Sequence, residues 1–136
     1  MKAKAYLQRI SEIDRKINKK QMILKSLYDL LYNVTPKPKE INVQSSGPRN
    51  NFEETISKII DLQKEINKDI DNYVDMKIEA IKLIDKMSND EYAEILIRRY
   101  INYEQWKKIA KDLGYTRQGI NKKHGRALLE FQKLYT

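Results

Sequence analysis

The sequence predicts an all-α protein: a long N-terminal helical hairpin or coiled coil over residues 1–87, with a loop at 34–51, then a three-helix helix-turn-helix domain over 88–136. Three observations predict it. Among 136 residues there are only 4 glycines and 3 prolines, so little interrupts a helix, and Lys, Glu, Ile and Leu are abundant. Two long stretches repeat apolar residues at spacings of three and four. Near the C-terminus, two short amphipathic stretches flank a glycine-containing turn.

From Met1 to about Asn33 the apolar positions run Tyr6, Ile10, Ile13, Ile17, Leu24, Leu27 and Leu31, with Lys20 where another is due. That is a heptad seam with one polar interruption. Thr35-Pro36-Lys37-Pro38 ends it, because each proline disfavours helix in the residue before it. The segment through Asn51 is polar and rich in turn residues, and reads as a connector. Phe52 to about Met87 is a second long helix, striped by Ile56, Ile59, Ile60, Ile66, Ile70, Tyr73, Val74, Ile81 and Ile84. Residues 1–51 hold 11 basic against 4 acidic residues, whereas 52–87 hold 6 against 9. The opposite charges favour pairing, within the chain or between two copies.

Ser88-Asn89-Asp90-Glu91 has the form of a capping box, with Ser88 as N-cap and Glu91 reaching back. The helix it opens, Tyr92 to about Tyr103, turns Ile95, Leu96, Tyr100 and Ile101 inward and carries Arg98 and Arg99 on its flank. Trp106, Ile109, Ala110 and Leu113 then share one face of a short helix. Gly114 suits the left-handed residue that closes such a helix, and Thr116 suits the N-cap of the next. That last helix sends Ile120, His124, Ala127, Leu128 and Phe131 inward. Arg117, Gln118, Asn121 and Lys122 point elsewhere, with Lys123 nearby. Gly119 is expected to permit close helix approach.

These residue types suit a nucleic-acid surface. An α-helix fits the major groove, where Arg or Lys bonds guanine and Gln or Asn bonds adenine. From Tyr115 to Arg126 the chain holds Arg117, Lys122, Lys123 and Arg126 and no acidic residue. The whole chain has a formal charge of +8, from 27 basic and 19 acidic residues, which points to a polyanionic partner. No run approaches the roughly eighteen apolar residues of a membrane span, and no signal-peptide core follows the first lysines, so a cytoplasmic protein is expected. Without cysteine there is no disulfide or thiolate site. His124 is the sole histidine and has no metal-ligand partner in the sequence. No phosphate loop or catalytic pair is present, so neither an enzyme nor a cofactor is expected.

From Ser88 onward the chain resembles region 4 of the sigma-70 family. The matching places are Arg99-Tyr100, Trp106-x-x-Ile109-Ala110, Tyr115 and His124-Gly125-Arg126-Ala127-Leu128. The whole chain also resembles short regulators encoded by phages and prophages of low-GC Gram-positive bacteria, of the RinA and ArpU type. Those combine a long helical N-terminal half with a loop like Val43-Gln44-Ser45-Ser46-Gly47 and a region-4-like end. Nothing here resembles the promoter-melting region of a full sigma factor.

The resemblance implies base-edge contacts from Arg117, Gln118, Asn121 and Lys122, and phosphate contact at Thr116. Arg98, Arg99, Lys107, Lys123 and Arg126 are further candidate DNA-binding residues. The expected function is sequence-specific regulation of transcription, as a late-gene activator in a bacterial host. Double-stranded DNA is the main partner, RNA polymerase a second candidate, and a homodimer the favoured assembly. Two alternatives stand beside it: a small-terminase-like DNA-packaging protein, and a polymerase-binding module without specific DNA readout.

Overall fold

The computed structural model describes residues 2–33 and 46–135, and every regular element among them is helical. α1 spans Lys2–Asn33, α2 Ser46–Asp85, α3 Asp90–Leu96, α4 Trp106–Leu113 and α5 Arg117–Tyr135. A π-helical turn, Ile97–Ile101, continues α3. The second helix starts at Ser46, not at Phe52, with Pro48 in its first turn. A proline is tolerated there because the first amides of a helix have no intrahelical acceptor. The rest of the expected connector, residues 34–45, lies outside the described residues, as does most of the Val43–Gly47 motif.

The chain divides into two compact units, one of residues 1–14 with 72–136 and one of residues 15–71. The first unit thus gathers the start of α1 and the end of α2 with the helices that follow. The core of the first unit explains why. It joins Ala3, Leu7 and Ile10 of α1 and Ala80 and Ile84 of α2 to Leu96, Ala127 and Phe131, all at most 4% exposed. Ala3 and Ala80 are fully buried in this cluster, and the Ala3 amide donates to Gln132 Oε1 at 2.8 Å. Each fully buried Leu, Ile or Phe here contributes about 1.5–3 kcal/mol. Ala3 and Leu7 fall outside the heptad seam read from the sequence, which follows Tyr6 and Ile10 instead.

In the second unit Ile17, Ile59 and Ile66 are buried, while Leu24, Leu27 and Leu31 are half-buried. The polar interruption of the α1 seam is matched there. Lys20 Nζ lies 2.6 Å from Asp69 Oδ2 and 3.7 Å from Glu65 Oε2. The hydrogen bond raises the lysine's pKa and lowers that of Asp69.

The entry to α3 differs from the expected capping box. Asn89 is the N-cap, its Oδ1 accepting from the Tyr92 amide at 3.0 Å. The amides of Ser88 and Asn89 donate instead to Glu130 Oε1. Glu91 faces the other way, accepting from the Tyr115 hydroxyl at 2.7 Å. A side chain from α5 thus does the work that the sequence assigned to a local pair.

Nor does that helix run on regularly to Tyr103. The Asn102 amide bonds the carbonyl of Ile97 at 2.9 Å, widening the turn by one residue. Tyr103 follows with φ 58, a left-handed conformation unusual for a bulky side chain. Its hydroxyl lies 2.9 Å from that of Tyr73, to which Lys77 donates at 3.0 Å. The left-handed residue is therefore held by tertiary contacts.

Candidate nucleic-acid interface

The candidate interface is built by a short turn between two helices. Gly114, at φ 79 and ψ 27, closes α4. The Tyr115 amide reaches back to Ala110 O at 2.8 Å and the Gly114 amide to Lys111 O at 3.3 Å, a Schellman arrangement that satisfies the last carbonyls. Thr116 then caps α5 as expected, its Oγ1 accepting from the Gly119 amide at 3.0 Å. Beneath the turn, Ile95, Ile109, Ala110 and Ile120 form a second small core, flanked by Trp106, Leu113 and Tyr115. That core fixes how the outer faces of α4 and α5 are presented.

Arg117, Gln118, Asn121 and Lys122 are all exposed on the first two turns of α5. The pairs 117/121 and 118/122 are four apart, so each pair stacks on one side of the helix. Across the turn, Lys107 and Lys111 line a cavity with Arg117 and Asn121, over a floor of Trp106, Ala110, Tyr115 and Ile120. The structure thus brings Lys107 to Arg117 and Asn121, and adds Lys111, which sequence reasoning missed. Its spacing of four from Lys107 on a helix was the available signal. Among the described residues, Lys107, Lys111, Arg117 and Lys122 form no salt bridge.

Other expected contacts are turned away. Arg98 is enclosed by carboxylates: its Nη2 lies 2.7 Å from Glu104 Oε1 and also contacts Asp112, and its Nη1 is 3.6 Å from Glu94. These bonds hold Glu104 and Asp112 below the usual carboxylate range. Arg99 donates to Glu104 O at 3.0 Å and lies over the Trp106 ring, 5.1 Å from its centroid. Lys123 sits over Tyr92 and Tyr115 and 3.6 Å from Glu91. All three tie helices together, because their neighbours supply carboxylate or aromatic faces that local sequence does not reveal. Arg126 is exposed but faces a different groove, beside Lys86 and Lys133. The Thr116 oxygen is already engaged as a cap.

No family model, curated protein or solved structure matches the chain.

His124 belongs to the support of this surface. Its Nε2 lies 2.7 Å from Tyr100 Oη, and its ring centroid is 4.4 Å from that of Trp106. Burial, with lesser repulsion from Lys4 and Arg99, lowers its pKa to about 4. The ring is therefore neutral at pH 7. Gly119 does not serve an approaching helix: a Cβ there would meet Thr116 Oγ1 at 3.2 Å and Tyr115 at 3.6 Å, both in its own turn. Among the described residues no helix is long and apolar enough to cross a membrane.

Proposed function

We propose that the chain is a sequence-specific DNA-binding regulator of transcription. In this reading α4 and α5 form a helix-turn-helix, α5 enters the major groove, and the long helices α1 and α2 are an antiparallel hairpin supporting assembly. One observation carries it. Arg117, Gln118, Asn121 and Lys122 stand exposed on the first two turns of α5, where a recognition helix meets base edges. Arg and Lys there suit guanine, and Gln and Asn suit adenine. Lys107 and Lys111 across the turn suit phosphate, fixing register without reading sequence. Arg98, Arg99 and Lys123 are assigned to the scaffold.

The region-4-like places support the same reading. Trp106, Ile109 and Ala110 hold α4, and Ala127 and Leu128 seat α5, so the resemblance lies in positions with a packing purpose. The phage setting and the role of late-gene activator come from the wider resemblance alone.

Selection of bound fragments from random duplex DNA by the purified chain, at moderate salt, tests this function. A single enriched motif is expected. Binding without enrichment, or no binding, overturns sequence-specific regulation and favours a module that docks on polymerase.

A further inference from the structure

The second half of α5 carries apolar surface and charge that neither core uses. Between it, the turn after α2 and the start of α3 runs a groove of about 500 Å³. Every residue lining it belongs to one compact unit of the chain. Leu129 and Leu134 stand 55% and 36% exposed on its α5 side, while Met87 opposite is buried. The groove is held in shape from within. Glu130 Oε1 accepts from the amides of Ser88 at 2.8 Å and Asn89 at 3.1 Å, which fastens α5 to the turn facing it. A groove already formed in this way has little to order when it is filled.

Its rim is cationic. Lys86, Arg126 and Lys133 are all exposed, and among the described residues none of them forms a salt bridge. Against these three cations the lining sets one carboxylate, Glu130, already engaged by two amides, so a positive surplus surrounds two exposed leucines. That combination discriminates between occupants. A phosphate backbone would satisfy the cations and leave the leucines wet. An uncharged apolar segment would cover the leucines and strip water from unpaired cations. Carboxylates interleaved with apolar side chains meet both demands. We propose that this groove docks an acidic amphipathic segment of a partner protein. Its apolar side chains rest on Leu129, Leu134 and Met87, and its carboxylates lie over Lys86, Arg126 and Lys133. Arg126 follows Lys122 by one turn of α5, and Lys133 lies about 16 Å beyond Lys122 along the axis. The groove therefore begins where the exposed face of the first two turns ends. The inference stands without the DNA reading, and its test separates the two.

Selection by the full chain from a library of short random peptides is expected to enrich carboxylates interleaved with leucine or phenylalanine at spacings of three and four. The most enriched peptide, labelled with fluorescein, is then titrated with the chain and its variants by anisotropy. Leu129→Ser and Lys133→Glu each weaken it about tenfold, and the loss from Lys133→Glu shrinks at high salt. Both side chains are exposed, and circular dichroism checks that the helices persist. Leu129→Ser leaves binding of duplex DNA within about twofold of the parent. The same peptide with its carboxylates changed to amides, or its apolar residues to serine, binds about tenfold more weakly. No enrichment, enrichment without carboxylates, or a peptide insensitive to both variants overturns the proposal. So does a Lys133→Glu chain that loses duplex DNA as strongly as it loses the peptide, which would make the groove a phosphate site.

Discussion

The hydroxyl of Tyr100 and Nε2 of His124 lie 2.7 Å apart, joining the helical turn before α4 to the middle of α5. Burial raises the tyrosine's pKa to about 12 and lowers the histidine's to about 4, so both rings are neutral over the physiological range. In the unfolded chain the histidine titrates near its ordinary value of about 6.5. A depressed histidine pKa means that the unfolded state takes up the proton first. Stability is therefore full above about pH 6.5 and falls as pH drops toward 4. With the ring only partly buried, the loss is about 1–2 kcal/mol. Urea midpoints measured at several pH values should decline through this window in the parent. The decline should flatten in His124→Gln; an unchanged slope would remove the histidine as its cause. The carboxylates held low by Arg98 act further down, losing their contribution only as pH falls below about 4.

Arg98→Lys separates scaffold from DNA contact. A lysine cannot reproduce the forked donation to Glu104 and the simultaneous contact with Asp112, so melting temperature should drop. The salt dependence of DNA binding should stay that of the parent. A reduced salt slope with unchanged stability would return Arg98 to the interface.

Arg117→Ala and Asn121→Ala should each cost about 1–3 kcal/mol of discrimination at particular base pairs. Competition binding with singly substituted duplexes reads this directly. Equal losses on every sequence would make both residues phosphate contacts.

Lys107→Ala and Lys111→Ala should weaken all duplexes alike, each lowering the salt slope by about 0.9. If either change alters sequence preference without changing that slope, the lysine touches a base edge.

The glycines of this region should respond in opposite ways. Gly114 holds a left-handed φ of 79, so Gly114→Ala costs about 1 kcal/mol although a Cβ would meet nothing within 4 Å. Gly125 lies inside α5 with open space at its Cβ, so Gly125→Ala should stabilise by about 0.5–1 kcal/mol. Chemical denaturation of both variants checks the pair of signs.

Sequence by itself determined what is local. The absence of strands among the described residues, the left-handed Gly114, the Thr116 cap and the inward set Ile109, Ile120, Ala127, Leu128 and Phe131 all follow from spacing and turn chemistry. Such features depend on neighbours within about one helical turn, which the order of residues states outright. Tertiary structure decided what each face and each charge meets. Ala3 and Leu7 belong to the core of α5, Glu130 satisfies the amides before α3, and a π-turn replaces regular helix at Ile97–Ile101. Arg98, Arg99 and Lys123 looked like Arg117 and Lys122 in the sequence, yet they turn inward to Glu104, Trp106 and Glu91. A long cationic side chain can reach many partners, and only the packed helices fix which carboxylate or ring lies within its few ångströms of reach.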